Sequence, residues 1–150
     1  MSVRNDIVDN LLAEIKVLRT SSDYEAGLHS DPVAYHENYL ATDKRKTPML
    51  MVVDLGNETV LVQDASYTRY AFDVQIRGFV SGYSWPDTQE KLNKVIGSVK
   101  KFIAGNPDLG SAVLGFRFVE GMGSAYDGSQ KYGETDLLTR ITYVVENGEE

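Results

Sequence analysis

Ile7, Leu11, Leu12, Ile15 and Leu18 recur at intervals of three and four residues, with Asp6, Asp9, Glu14 and Lys16 between them. A helix of 3.6 residues per turn gathers such positions into one apolar stripe, so the spacing predicts an amphipathic N-terminal helix with one face on a core. A second stripe, Leu92, Val95, Ile96, Val99, Phe102 and Ile103, lies within SWPDTQEKLNKVIGSVKKFIAGNP, residues 84 to 107. Its ends are also legible. Ser84 and Asp87 are spaced as a capping box with Pro86 in the first turn. At the other end Lys100 and Lys101 suit the negative pole of the helix, Gly105 stands where a left-handed cap is expected, and Pro107 forbids continuation.

Elsewhere the period shortens to two. In YAFDVQIRGFV, residues 70 to 80, Tyr70, Phe72, Val74, Ile76 and Val80 alternate with Ala71, Asp73, Gln75 and Arg77, as in a strand with one covered face. MLMVVD and TVLVQ, separated by Gly56 and Asn57, predict a β-hairpin. Two more strands are expected around Val113 to Glu120 and Thr135 to Val145, flanking the glycine-rich run GMGSAYDGSQKYGETD at 121 to 136. The order α-β-β-β-α-β-β describes an α+β domain, with a mainly antiparallel sheet and two helices on one of its faces. No internal repeat or linker interrupts it, so residues 1–150 read as one domain. Residues 21 to 47 have no clear period and form an excursion, apart from a short helix expected to begin at Asp31 and Pro32.

Composition narrows the function. Against 15 basic residues stand 22 acidic ones, a net charge of -7, which is the wrong sign for a protein that binds by neutralising phosphates. The absence of cysteine excludes disulfides, thiolate zinc sites and cysteine nucleophiles. The N-terminal stretch mixes charges with apolar residues and does not read as a signal peptide. The longest apolar run, MLMVV, is far short of the ~20 residues that span a bilayer, so no membrane partner is expected.

Candidate chemistry is sparse. His29 and His36 stand in polar surroundings without the pattern of a zinc-protease helix, and surface histidines are the better reading. Asp54, Glu58 and Asp64 are the acids a divalent ion would use, although hairpin turns are acid-rich for reasons of geometry alone. No nucleophile elbow or oriented base is present, and neither an enzyme nor a cofactor is expected. Lys44, Arg45 and Lys46 form the one dense basic cluster, either a solvated loop or a contact for an acidic neighbour.

Arg77, Arg117 and Arg140 each fall near the middle of a different strand, opposite its apolar set, and should share one sheet face. They read either as cross-strand partners of Asp73, Glu120 or Asp136, at about 0.2–1 kcal/mol per pair, or as a subunit interface. Trp85 reads as a staple at the helix start or as a rim aromatic of an interface. The run 121 to 136 enters a strand rather than a helix, which excludes a phosphate cradle. What remains is a hairpin arm whose glycines keep it flexible and whose Tyr126 and Tyr132 offer contact surface to another chain.

The amphipathic helix IVDNLLAEIKVL, the strand TPMLMVVD, the strand-to-helix unit RYAFDVQIRGFV and DTQEKLNKVIGSVKKFI, and the closing strand GETDLLTRITYVV together resemble the tail terminator (tail completion) proteins of long-tailed bacteriophages. The resemblance covers nearly the whole chain, with residues 21 to 47 longer than the family's usual connection. It implies a virion protein without catalysis, assembled in the host cytoplasm. Such a protein forms a ring, typically a hexamer, on the head-proximal end of the tail tube. Its partners would be other copies of itself, the tail tube protein and the head-neck connector, with phage DNA passing through an acidic lumen without specific binding. Another neck or tube component is the nearest alternative, and a divalent-ion-dependent hydrolase or nuclease the more distant one.

Overall fold

A computed structural model describes residues 3–34, 47–126 and 132–147, with side chains for all but 122–126. Along the chain run α1 (Val3–Ile15), α2 (Val17–Thr20), β1 (Val33–Ala34), β2 (Met49–Asp54), β3 (Thr59–Gln63), β4 (Tyr67–Ser81), α3 (Trp85–Gly105), β5 (Gly115–Tyr126) and β6 (Tyr132–Glu146). The fold is α+β, and all strand pairings are antiparallel except that of β1 with β2. The sheet order is β1-β2-β4-β6-β5, with β3 also on β4.

Strand β4 is the spine. One of its edges pairs with β6 over its whole length, from Tyr67 opposite Glu146 to Ser81 opposite Tyr132. The other edge is shared by β2, opposite residues 74–79, and β3, opposite residues 68–71. The even-numbered residues of β4 and the odd-numbered ones of β6 meet the helices. Ile7, Leu11, Ile15 and Leu18 of the N-terminal helices and Leu92, Val95, Val99 and Phe102 of α3 close over Phe72, Val74, Ile76, Leu137 and Ile141 in one core. Full burial of each such side chain is worth about 1.5–3 kcal/mol, which makes this layer the main source of stability. Gly78 permits the contact: a Cβ there would stand 2.9 Å from Val95 Cγ1 and 3.0 Å from Thr135 Cγ2, so α3 lies directly on the sheet.

Four expectations need correction. First, β2 and β3 do not form a hairpin with each other. They run in the same direction, end to end, along one edge of β4. The chain leaves the ladder at residues 55–58 and resumes it because Asn57 takes a strand's place: its Oδ1 accepts from the Asp73 N–H at 2.9 Å and its Nδ2 donates to Asp73 Oδ2 at 2.8 Å. The true hairpin joins β3 to β4 through a turn in which Asp64 Oδ1 accepts from the Ser66 N–H.

Second, the described parts of the expected arm, 121–126 and 132–136, are strand, while 127–131 lie outside the described residues. Residues 121–126 pair with 132–137, and that part of β6 is itself held by β4. Gly121 is there for space, since a Cβ would stand 2.6 Å from Leu137 Cδ2. Third, no helix begins at Asp31 and Pro32; Val33 and Ala34 form β1 beside Met51 and Val52. Within 21–34, Ala26 and Leu28 are buried in the main core, so this part of the excursion belongs to the body.

Fourth, α3 ends without a left-handed Gly105. Asn106 stops it at φ -133° and ψ 58°, with its Nδ2 donating to the Phe102 carbonyl at 2.8 Å, and after the helix positive φ comes first at Leu109, followed by Gly110 and Ser111. The start is as expected: the Ser84 hydroxyl accepts from the Asp87 N–H, and the Asp87 carboxylate accepts from the Tyr83 N–H. Lys100 and Lys101 lie a turn short of the end and reach the rings of Phe118 and Tyr24.

Candidate interaction surface

Alternation places Arg77, Arg117 and Arg140 on the sheet face turned away from the helices. Register brings them together: Arg140 stands between Asp73 on β4 and Arg117 on β5, and Arg77 stands opposite Asp136. Two of the three are paired. Arg77 Nε donates to Asp136 Oδ1 at 2.8 Å, and Arg140 grips Asp73 through Nε at 2.9 Å and Nη2 at 3.4 Å. Arg117 is exposed, and no ion pair to it is seen among the described residues. The expected partners Asp73 and Asp136 are therefore confirmed, whereas Glu120 faces Leu138.

Asp73 is the most enclosed charge on this face. Arg140 holds its carboxyl below the usual range, helped by Asn57 and opposed by burial, and Arg140 is raised in turn by Asp73. Half-exposed pairs of this kind contribute little stability on their own, about 0–1 kcal/mol, so what they fix is the geometry of the face. Above them on the same face Met49, Met51 and Phe79 form a small second cluster with Val33, Val53 and Tyr132 against it. Tyr132 stacks on Phe79 with centroids 6.3 Å apart, which makes it a packing residue of the sheet.

The acids named as ion ligands do not converge. Asp54 is bound by Arg4, which holds its carboxyl low, and Glu58 accepts from the Tyr143 hydroxyl at 2.6 Å with Arg4 at 3.8 Å. Asp64 closes the β3–β4 turn, and no cluster of three metal-ligating side chains occurs among the described residues. Arg4 escaped the sequence reading, although it continues the stripe of Ile7, Leu11 and Ile15 by one more step of three. Its guanidinium lies 4.2 Å from the centre of the Phe72 ring, pinning α1 to the joint between β2 and β3.

Trp85 is half exposed at the start of α3 and borders a groove of about 720 Å³ with Pro86, Gln89, Lys94, Asp23 and Glu25. Tyr83, beside it, is 88% exposed. His29 is exposed. Lys44, Arg45, Lys46 and His36 lie outside the described residues, as does the side chain of Tyr126. Among the described residues no helix is long and apolar enough to cross a membrane.

No family model and no curated protein matches the chain. Among solved structures, a chain of the "Virion of native gene transfer agent (GTA) particle" aligns over 77% of this chain and 78% of that one, at 12% identity and a TM-score of 0.41.

Proposed function

We propose that this chain is a structural component of a phage-like particle and acts as a tail terminator. It closes into a ring, expected to be a hexamer, on the head-proximal end of the tail tube, stops tube growth and offers its other side to the head-neck connector. The observation that carries this reading is the one-sided sheet: the helices cover one face, while the other carries Arg77 and Arg140, held by Asp136 and Asp73, beside an exposed Arg117 with no ion pair among the described residues, a charged face we assign to a neighbour. The sequence resemblance supports it. So does the physical demand on a cap, which must match the repeating tube end with one surface and differ from it on the other.

Electron microscopy of tail tubes incubated with the purified protein tests the proposal. One ring at a single end of each tube, with no further elongation on adding tube subunits, is the expected result. Tubes or filaments built by the protein alone point instead to a tube subunit. Divalent-ion-dependent hydrolysis of a nucleic acid or ester would displace both readings.

A further inference from the structure

Among the described residues no strand lies beyond β3, which continues the edge that β1 covers at β2, and none lies beyond β5 on the other side. Exposed large apolar side chains gather there: Leu55, Val60, Leu61 and Val62 in and beside β3, Leu114 and Val119 in and beside β5. All five residues of β3 are exposed, with Val60 at 54%. Natural proteins guard such edges with charge or proline, because unpaired N–H and C=O groups recruit other strands. Residues 59–63, TVLVQ, contain neither. Each edge also carries one irregularity, at Leu61 and at Val119, which twists it and narrows the partner strands that fit.

We propose that β3 of one copy pairs with β5 of the next, so that the sheets join edge to edge around the ring. The inference rests on the ring reading and names the surface that closes it. Charge selects this pairing over β3 with β3. Glu58 and Asp64 bracket β3, and antiparallel self-pairing centred on Leu61 sets Glu58 against the other copy's Asp64 at both ends. With Leu61 opposite Val119 on β5, Arg117 falls beside Asp64 if the strands run antiparallel and beside Glu58, itself held by Arg4 and the Tyr143 hydroxyl, if they run parallel, so one end meets an opposite charge and Val119 covers the apolar run. Pairing β5 with β5 also leaves β3 bare. Only the head-to-tail arrangement uses both edges in one repeated contact, and such contacts close into rings when the rotation between copies allows.

The cysteine-free chain permits a direct test. Single variants Val60→Cys, Leu61→Cys and Val62→Cys are each mixed with Arg117→Cys, Val119→Cys or Glu120→Cys under mild oxidation, alongside each variant alone. Several positions are needed because strand direction and register decide which sulfurs come within bonding range. The expected result is a disulfide-linked dimer in at least one mixture and its loss in every variant alone. Double variants carrying one cysteine on each edge should yield a ladder ending at the ring's copy number. Dimers from single variants alone overturn the pairing in favour of a two-fold contact. Rings seen by microscopy without any cross-link in the mixtures overturn the surface but leave the ring standing. A ladder that runs on without an end keeps the edge contact and overturns the ring. As a second readout, Leu61→Lys should abolish assembly while leaving the monomer's melting temperature unchanged, and normal assembly by it overturns the proposal.

Discussion

Strands β2 and β3 lie in line on the same edge of β4, are both apolar and are of similar length, yet one is buried and the other bare. Met49, Leu50, Met51 and Val52 are 1–2% exposed, whereas Val60, Leu61 and Val62 are 41–54% exposed. Hydrophobicity does not separate them. What differs is what lies around them: β1 beyond the edge of β2, the helices over Leu50 and Val52, and the second small cluster around Met49 and Met51. The joint is the Asn57, Asp73 and Arg4 crossing, where the Asn57 side chain bridges the gap in the ladder between Val74 and Ala71 of β4. An apolar strand thus encodes either a core or a contact, and the fold decides which.

The largest effect should separate the two strands by stability. Leu50→Ala is expected to cost about 2–5 kcal/mol, as buried leucines do, and Leu61→Ala no more than about 0.5 kcal/mol in the monomer. Urea denaturation at low protein concentration measures both, and equal losses would abolish the contrast.

Next comes the joint. Asn57→Ala leaves the Asp73 N–H and one side of its carboxylate without their partner, a loss of about 1–3 kcal/mol. Hydrogen exchange should then quicken at residues 59–63 and stay unchanged at 49–54. Uniform quickening of both would show that β2 and β3 are one cooperative unit.

A smaller effect is expected from pH. Arg4 holds Asp54 and Arg140 holds Asp73 below the ordinary carboxylate range. A carboxyl depressed in the folded state adds stability that is fully present above its unfolded pKa, about 3.9, and is lost as pH falls through its folded value. Melting temperature should therefore be flat from neutral pH to about pH 5 and fall below about pH 4, with a shallower fall in Asp73→Asn. An identical acid profile in that variant would remove Asp73 from the account.

The smallest effect on folding belongs to Arg117→Glu, because Arg117 is exposed: within about 0.5 kcal/mol of the parent. Its effect on assembly should be large, since a glutamate there replaces the opposite charge beside Asp64 or Glu58 of the next copy with a like one. Parallel thermal melts and sedimentation separate the two, and unaltered assembly would return this arginine to a solvated surface.

Both long helices and β4 were legible because their periods are long and unbroken, and period two alone put the three arginines on one face. The false β2–β3 hairpin arose because adjacent strands usually pair with each other, and no local pattern announces that Asn57 carries the chain onward. Glycines at 121 and 133 suggested flexibility, but both are paired in the ladder and Gly121 leaves no room for a Cβ beside Leu137. Arg4 was hidden by its charge, although its position on the apolar stripe was in view. The two edges were not legible at all, since edge status is a property of topology.

Sedimentation velocity of the unmodified protein over a wide concentration range tests the central claim most directly. The expected result is a monomer that converts to one larger species of fixed mass, an integral multiple of the 16.7 kDa chain, with nothing beyond it. A protein that stays monomeric at every concentration and on tail tubes, or one that grows without limit, would contradict the ring.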